Sequence, residues 1–396
     1  MSETRRPDEF YIQALRRLVR RVEMKQPSYV PGLTGVVAGE TAVANADDGR
    51  SYRGYPLAAL VRDASFLEVT YLLLHGELPG QEEFADFSSI LMDSDAIDPG
   101  MEQVLDGLPL HVSGSSMLRT AVSALGNVDP LADDMSTDAS LAKAARLMAQ
   151  LPTVIVSGIR NHSTRTAPVN HPSLTYTANL LYRMQAAEPG ELAERSLDAA
   201  LIVNSEQGFD TSTFAARVVA SAGGDIHAAL TTAVGTLNTD DNTAPSPTML
   251  EMLNDLAQAD SVEACCQQWM AHKRKFPGFD EAPHPGTAQR VEILNAFCKQ
   301  LAEQSGFNAL ERRVSELEQC LANRLRIQPH LGWPTTRLFH YLGLDPAWMR
   351  PLYVLSRLPG WSAHIVEQAQ CDCPIQPEAH YVGPEQRNFT DLSRRS

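Results

Sequence analysis

LIVNSEQGFDTSTFAARVVASAGGDIHAALTTAVGTLNTDDNTAPSPT, residues Leu201 to Thr248, is the stretch from which the fold class is read. It opens as an apolar segment, crosses a polar turn, and continues as two helical patterns rich in small residues. Phe214, Val218, Val219 and Ala222 recur at helical spacing in the first, and Ile226, Ala229, Leu230 and Val234 in the second. Gly223-Gly224 punctuates the two, and Asp225 stands where an N-cap belongs. Ala215, Ala216 and Ala220 predict a helix able to approach a neighbour closely. After Leu237 the pattern collapses into NTDDNTAPSPT, a polar loop with two adjacent aspartates. A buried helix pair that opens into a polar loop is a place for a site, so the contents of that loop bear on function.

Working outward, 396 residues exceed one typical domain and suit a large domain with a smaller one inserted. A chain 43% hydrophobic and 20% charged has ample material for a core. Its net charge of −15 argues against nucleic acid or an anionic membrane as partner. No apolar run reaches transmembrane length, and MSETRRPDEF lacks the apolar centre of a secretory signal, so a soluble, cytoplasmic protein is expected. Cys265, Cys266, Cys298, Cys320, Cys371 and Cys373 fit neither a zinc site nor a disulfide framework. Cys371-Asp372-Cys373 is too tight for an ordinary disulfide, and reduced thiols are expected. Asn161-His162 and Asn170-His171, in the loop RNHSTRTAPVNHPS, lack metal-ligand spacing, and no metal is expected.

Residues 8–26, with Leu15, Leu18 and Val22 among many arginines, read as a short amphipathic arm. In PGLTGVVAGETAVANADDGRSYRGYPLAALVRDASFLEVTYLLLHGELPG (Pro31 to Gly80), Gly32, Gly35, Gly39 and Asp47-Asp48-Gly49 imply short strands and tight turns. Ser65 then caps a helix that buries Phe66, Val69, Leu72 and Leu73 and stops at Gly76 before Pro79. Residues 291–325 read as one or two helices, from the recurrence of Leu294, Phe297, Leu301, Leu310, Val314 and Leu317.

Glu40-Thr41, Tyr52-Arg53-Gly54-Tyr55 and Tyr71-Leu72-Leu73-Leu74 running to Gly76-Glu77-Leu78-Pro79 closely resemble the citrate synthase family, its bacterial 2-methylcitrate synthase branch most of all. The resemblance continues through PSLTYTANLLYRM (Pro172 to Met184), STFAARV (Ser212 to Val218), LYVLSRLPGWSAHIVEQ (Leu352 to Gln368) and AHYVGPEQR (Ala379 to Arg387). It is weaker over 84–145 and 240–330. It implies an all-α homodimer of the citrate synthase fold. An N-terminal arm would span 1–30, a large helical domain 31–236 and 334–396, and a smaller inserted helical domain 237–333.

Members of that family join an acyl-CoA thioester to a 2-oxo acid. A carboxylate takes a proton from the thioester methyl, one histidine stabilises the enolate, a second polarises the ketone, and arginines clamp the carboxylates. Counted without gaps, the first histidine of the G-P-x-H-G-G-A-N-E motif falls on Asn242, within Asp240-Asp241-Asn242-Thr243-Ala244-Pro245. The histidine of G-F-G-H falls on Glu281, in Pro277-Gly278-Phe279-Asp280-Glu281. The base of N-x-D-x-x-S falls on Gly332, in His330-Leu331-Gly332-Trp333-Pro334-Thr335. A further oxo-acid-binding histidine, in A-E-H-E-x-N, is Gln207. Thus no catalytic set is intact. The clamp is better kept: Arg290 and Arg357 are present, and the arginine that the family donates across the dimer is Gln376 in Ile375-Gln376-Pro377.

The matching coenzyme loops carry Asp240, Asp241, Asp280 and Glu281, with no lysine or arginine between Lys275 and Arg290, which would repel a polyanion. Glu281, His284 and His330 could form a relocated acid–base set, against the plainer reading of solvated loop residues. His364 matches a packed helix position, and Arg290 and Arg357 could equally be ordinary ion-pair formers. The expectation is a divergent citrate synthase-like protein without ordinary citrate or 2-methylcitrate synthase activity. It would bind a small di- or tricarboxylate in a regulatory or specialised-pathway role, with no cofactor. The rival is a condensing acyltransferase of that family using substitute groups, with acyl-CoA as substrate.

Overall fold

The computed structural model describes residues 29–33, 35–45, 51–109, 111–160, 169–237, 243–271, 275–281, 286–371 and 373–395. The proposed arm at 8–26, Asn242 and His284 lie outside them. The chain divides into two compact units, Thr41–Ile375 and the termini Met1–Glu40 with Gln376–Ser396. Described parts of the terminal unit are irregular apart from short 3₁₀ turns at Pro31–Leu33 and Leu392–Arg394.

The larger unit is helical, as expected. Its strands are two residues long. β1 (Ala44–Asn45), β2 (Ser51–Tyr52) and β3 (Tyr55–Pro56) form an antiparallel meander, with Ala44 opposite Tyr52 and Ser51 opposite Pro56. The first helices are α1 (Leu57–Asp63), α2 (Phe66–His75), α3 (Gln81–Asp93), α4 (Pro99–Asp106) and α5 (Gly114–Val128). They are followed by α6 (Thr137–Arg160), α7 (Tyr176–Gln185), α8 (Glu191–Asn204), α9 (Thr211–Ser221) and α10 (Ile226–Gly235). Next come α11 (Pro247–Gln258) and α12 (Val262–Ala271), then β4 (Phe279–Asp280), α13 (Thr287–Ser305) and α14 (Asn308–Leu325). β5 (Gln328–Pro329), α15 (Gly332–Tyr341) and α16 (Pro346–Gln370) complete the unit. Among the described residues no helix is long and apolar enough to cross a membrane.

Local chemistry sets the helix ends. Ser65 Oγ accepts from Glu68 N at 3.3 Å while Glu68 Oε2 accepts from Ser65 N at 2.7 Å, a reciprocal box that satisfies two donors at the start of α2. Gly76 ends that helix in the left-handed region at φ 94°, where a side chain would be strained. Asp225 caps α10 by accepting from Ala228 N at 2.9 Å. The 291–325 pattern resolves into two helices, α13 and α14, separated at Gly306 (φ 81°).

The α9 face departs from the sequence reading. Phe214 and Val219 are only partly buried and Val218 is exposed. The inward face carries Ser212, Thr213, Ala216, Arg217 and Ala220. Apolar spacing named the wrong stripe because the helix buries an arginine and hydroxyls that have partners inside. Ala216 and Ala220 are buried within the chain itself, where α9 packs against α10 and α16. For α10 the expected face is correct: Ile226, Ala229, Leu230 and Val234 are buried.

The cysteine expectation is corrected too. Cys371 and Cys373 are joined in a disulfide, with Cα atoms 5.2 Å apart. Cys371 is the C-cap of α16 in an extended conformation, so the chain leaves the helix there and the sulfurs can meet. Cys265, Cys266, Cys298 and Cys320 are free thiols.

Candidate functional site

α8, the turn after it, α9 and the middle of α16 bring a group of charged side chains into the interior. Gly360 permits the approach. A β-carbon there would overlap the carbonyl oxygen of Ser205 and lie 3.3 Å from Glu206 Cα, so only glycine lets α16 pass the end of α8 this closely. Pro359 precedes it within the helix, where it removes one backbone donor. On either side of this crossing α16 presents Arg357 and His364.

Glu206 stands at the centre, 1% exposed. Its Oε1 accepts from Gly208 N at 2.7 Å and lies 2.8 Å from His364 Nε2. His364 Nδ1 is 3.0 Å from Arg217 Nη1, which can only donate. Nδ1 thus faces the Arg217 donor and Nε2 faces the Glu206 carboxylate. Arg217 also donates to Glu367 Oε2 at 2.6 Å and to Gln368 Oε1 at 3.0 Å, and its guanidinium lies over the Phe209 ring. Burial alone would raise the Glu206 carboxyl. The His364 hydrogen bond and the positive potential of His364, Arg357 and Arg290 outweigh it and draw the group down to about 2. A carboxylate held below its ordinary range is a weaker proton acceptor.

Both clamp arginines are here. Arg290 Nη1 donates to the Glu206 carbonyl at 2.5 Å, and its guanidinium lies 5.7 Å from the centre of the Tyr52 ring. Tyr52 in turn donates to the carbonyl of Ile202 at 3.0 Å, closing the end of α8 against β2. Arg357, 1% exposed, donates through Nη2 to Asp210 Oδ2 at 2.8 Å and to Thr213 Oγ1 at 3.0 Å. Its Nε and Nη1 are buried with no hydrogen-bond partner. Gln207 Nε2 donates to the Tyr353 hydroxyl at 3.2 Å, which is also 3.2 Å from Thr243 Oγ1. The structure thus gathers Arg290, Arg357 and Gln207 around Glu206. Gln376 is an exposed residue of the terminal unit.

The substitute groups are not gathered in the same way. Gly332 opens α15 and offers no side chain. Glu281 is exposed beside β4. His330 is buried beyond β5, where its N–H donates to Gly278 O at 2.7 Å and its Nδ1 accepts from Leu331 N at 2.9 Å. Phe279 pairs with Pro329 and Asp280 with Gln328. Glu281 and His330 therefore stand at opposite ends of this short ladder, three residues apart at about 3.3 Å each, or about 10 Å. Among the described residues no group of three or more histidine, cysteine or carboxylate side chains could hold a metal.

Sequence reading missed Glu206, Asp210, Arg217 and Tyr353. The available signal was the seven-residue spacing of Arg357 and His364, two turns apart on one helix face, which requires a polar partner opposite.

The family model for the citrate synthase C-terminal domain matches residues 32–378. A citrate synthase of Mycolicibacterium smegmatis is 31% identical over 370 residues, covering 93% of this chain and 98% of that protein. A 2-methylcitrate synthase of Mycobacterium tuberculosis is 33% identical over 370 residues, covering 92% and 93%. The crystal structure of citrate synthase from Thermotoga maritima superposes with a TM-score of 0.76 at 26% identity, covering 92% of this chain and 99% of that one. Thermoplasma acidophilum citrate synthase, solved with carboxymethyl coenzyme A and oxaloacetate, gives a TM-score of 0.82 at 20% identity over 93% of this chain and all of that one, a likeness of fold. By the length of these matches and the fold they share, this chain belongs to the citrate synthase family.

Proposed function

We propose that this protein is a divergent member of the family that does not run the ordinary citrate or 2-methylcitrate condensation. In this reading it binds a small di- or tricarboxylate between Arg290 and Arg357, in a regulatory or specialised-pathway role. The observation that supports it is the state of Arg357, a buried guanidinium with two nitrogens lacking any partner, close to a second buried arginine. An unsatisfied buried donor costs about 1–3 kcal/mol, and a ligand carboxylate would remove that cost. Against condensation stand Glu281 exposed, Gly332 without a side chain, and Glu206 held below the ordinary carboxylate range. We further place the protein in the cytoplasm as a homodimer, with 237–333 as a smaller domain that carries Arg290 against Arg357 on the larger one.

A second reading is favoured by the relatives, which are named citrate synthase and 2-methylcitrate synthase over nearly the whole chain. Here an acyl-CoA/2-oxo acid condensation would use Glu281, His284 or His330. Two measurements decide. CoA release is assayed from acetyl-CoA and from propionyl-CoA with oxaloacetate. Losing one positioned acid or base typically costs ~10²–10⁴ in rate, so no appreciable release is expected, and turnover of ~1 s⁻¹ or faster would sink the first reading. Titration calorimetry with oxaloacetate, citrate and 2-methylcitrate should show weak binding that Arg357→Ala abolishes. If none binds, or Arg357→Ala binds equally, the arginines serve structure alone.

A further inference from the structure

A guanidinium grips a carboxylate with two parallel hydrogen bonds along an edge, and it has two such edges: Nε with Nη2, and Nη1 with Nη2. Nη2 belongs to both. On Arg357, Nη2 is the nitrogen already engaged, by Asp210 Oδ2 at 2.8 Å and Thr213 Oγ1 at 3.0 Å, and its two hydrogens are thereby used. Nε and Nη1 remain without partners, but they do not share an edge. A ligand carboxylate arriving at this arginine meets two single donors and no two-pronged edge. The carboxylate that closes the edges is the more accessible partner, since the Asp210 side chain is 18% exposed and that of Arg357 1%.

The other oxygen of Asp210 has a separate task. Oδ1 accepts from Thr213 N at 2.8 Å and caps α9. A helix cap needs only a short oxygen-bearing side chain, and asparagine or serine does it as well as aspartate. The negative charge at this position is therefore not explained by the cap. It is spent on Arg357.

We propose that Asp210 is a built-in competitor for the Arg357 site. It holds the guanidinium in the empty protein, confines an incoming carboxylate to one-pronged contact unless it swings aside, and opposes multiply charged ligands by its own charge. The inference rests on the reading that Arg357 takes a ligand carboxylate, and it identifies the residue that limits affinity and charge selectivity there.

The test is titration calorimetry of the full-length protein with oxaloacetate and citrate, comparing the natural chain with Asp210→Asn and Asp210→Ser. Both variants keep the cap and remove the charge. If one fails to fold, the other carries the test, and a melting curve without ligand reports which. Expected is a dissociation constant lower by about tenfold or more in both variants, the effect of freeing one charge-assisted contact. The gain should be lost when Arg357→Ala is added. A purely structural Asp210 would instead give lower melting temperature and unchanged or weaker binding. Natural protein that binds while the variants bind no tighter overturns the role of Asp210 alone. Absence of binding in all three overturns the carboxylate site and this inference together. Binding seen only in the variants upholds Asp210 as the competitor but overturns carboxylate binding by the natural chain.

Discussion

Replacing Glu206 with glutamine isolates the electrostatics of the interior, because shape is kept and a single charge is removed. The carboxyl lies among His364, Arg357 and Arg290 and is drawn from 4.5 to about 2. At about 1.4 kcal/mol per pH unit, that fall corresponds to about 3 kcal/mol of folding stability. The sign follows from a folded value below the unfolded one. The contribution is fully present above pH 4.5 and is lost as pH falls from 4.5 toward 2. Urea unfolding of both proteins between pH 7 and pH 3 reads it directly. At pH 7 Glu206→Gln should be less stable by about 3 kcal/mol, since two buried arginines lose their counter-charge. The gap should close as the natural carboxyl takes up its proton in acid. A gap that stayed constant from pH 6 to pH 3 would refute the reasoning, because the lost stability would then be a matter of packing and not of charge.

Two further outcomes are expected. Gly360→Ala places a methyl against the Ser205 carbonyl and Glu206 Cα, so it should destabilise by about 1–3 kcal/mol through overpacking. It should also weaken any carboxylate binding, whereas Gly190→Ala, at a site with nothing within 4 Å, should change binding little; equal effects of the two would remove Gly360 from the account. As a homodimer of the obligate kind the protein would bury more than ~2,000 Å² between copies; light scattering that found a stable folded monomer at micromolar concentration would contradict this.

The parts of the fold legible in the sequence were those decided by local rules. The Ser65 cap, the Asp225 cap, the stop at Gly76 and the Ile226–Val234 face each follow from a few neighbouring residues, and each is present. The motif resemblance carried the all-α architecture and brought Arg290, Arg357 and Gln207 to one place. The α9 stripe failed because apolar periodicity assumes that polar residues face water. On α9, Arg217 faces inward because Glu367, Gln368 and His364 wait on α16, some 150 residues away in sequence, and no window of sequence shows that. Glu206 and Asp210 were missed for the same reason. Each looks like part of a polar turn after α8 until α16 is laid across it. Cys371 and Cys373 were misjudged because their spacing does not show that the chain turns extended at Cys371, with the two Cα atoms 5.2 Å apart.

The interior charges bear on the proposed carboxylate reading through one balance. Buried ion pairs seldom stabilise more than well-packed apolar residues of the same volume would. Arg337 shows what such a residue looks like when its work is within the chain. It is buried, it donates to Glu318 at 3.1 Å and to Asn295, and it lies over the Trp333 ring. Arg357 is as deeply buried and yet has only one of its three nitrogens engaged. Arg337 Nε is likewise buried without a hydrogen-bond partner, so for stability alone the second would be the poorer solution by one further unsatisfied donor, about 1–3 kcal/mol. An arginine left in that state within a closely packed interior is explained by something that completes it. The chemistry that completes a guanidinium is an anion with oxygens in a plane, and the carboxylate that Arg357 meets within the chain, Asp210, reaches only one nitrogen. On the proposed reading a ligand carboxylate supplies the rest, and its binding is the property to measure first.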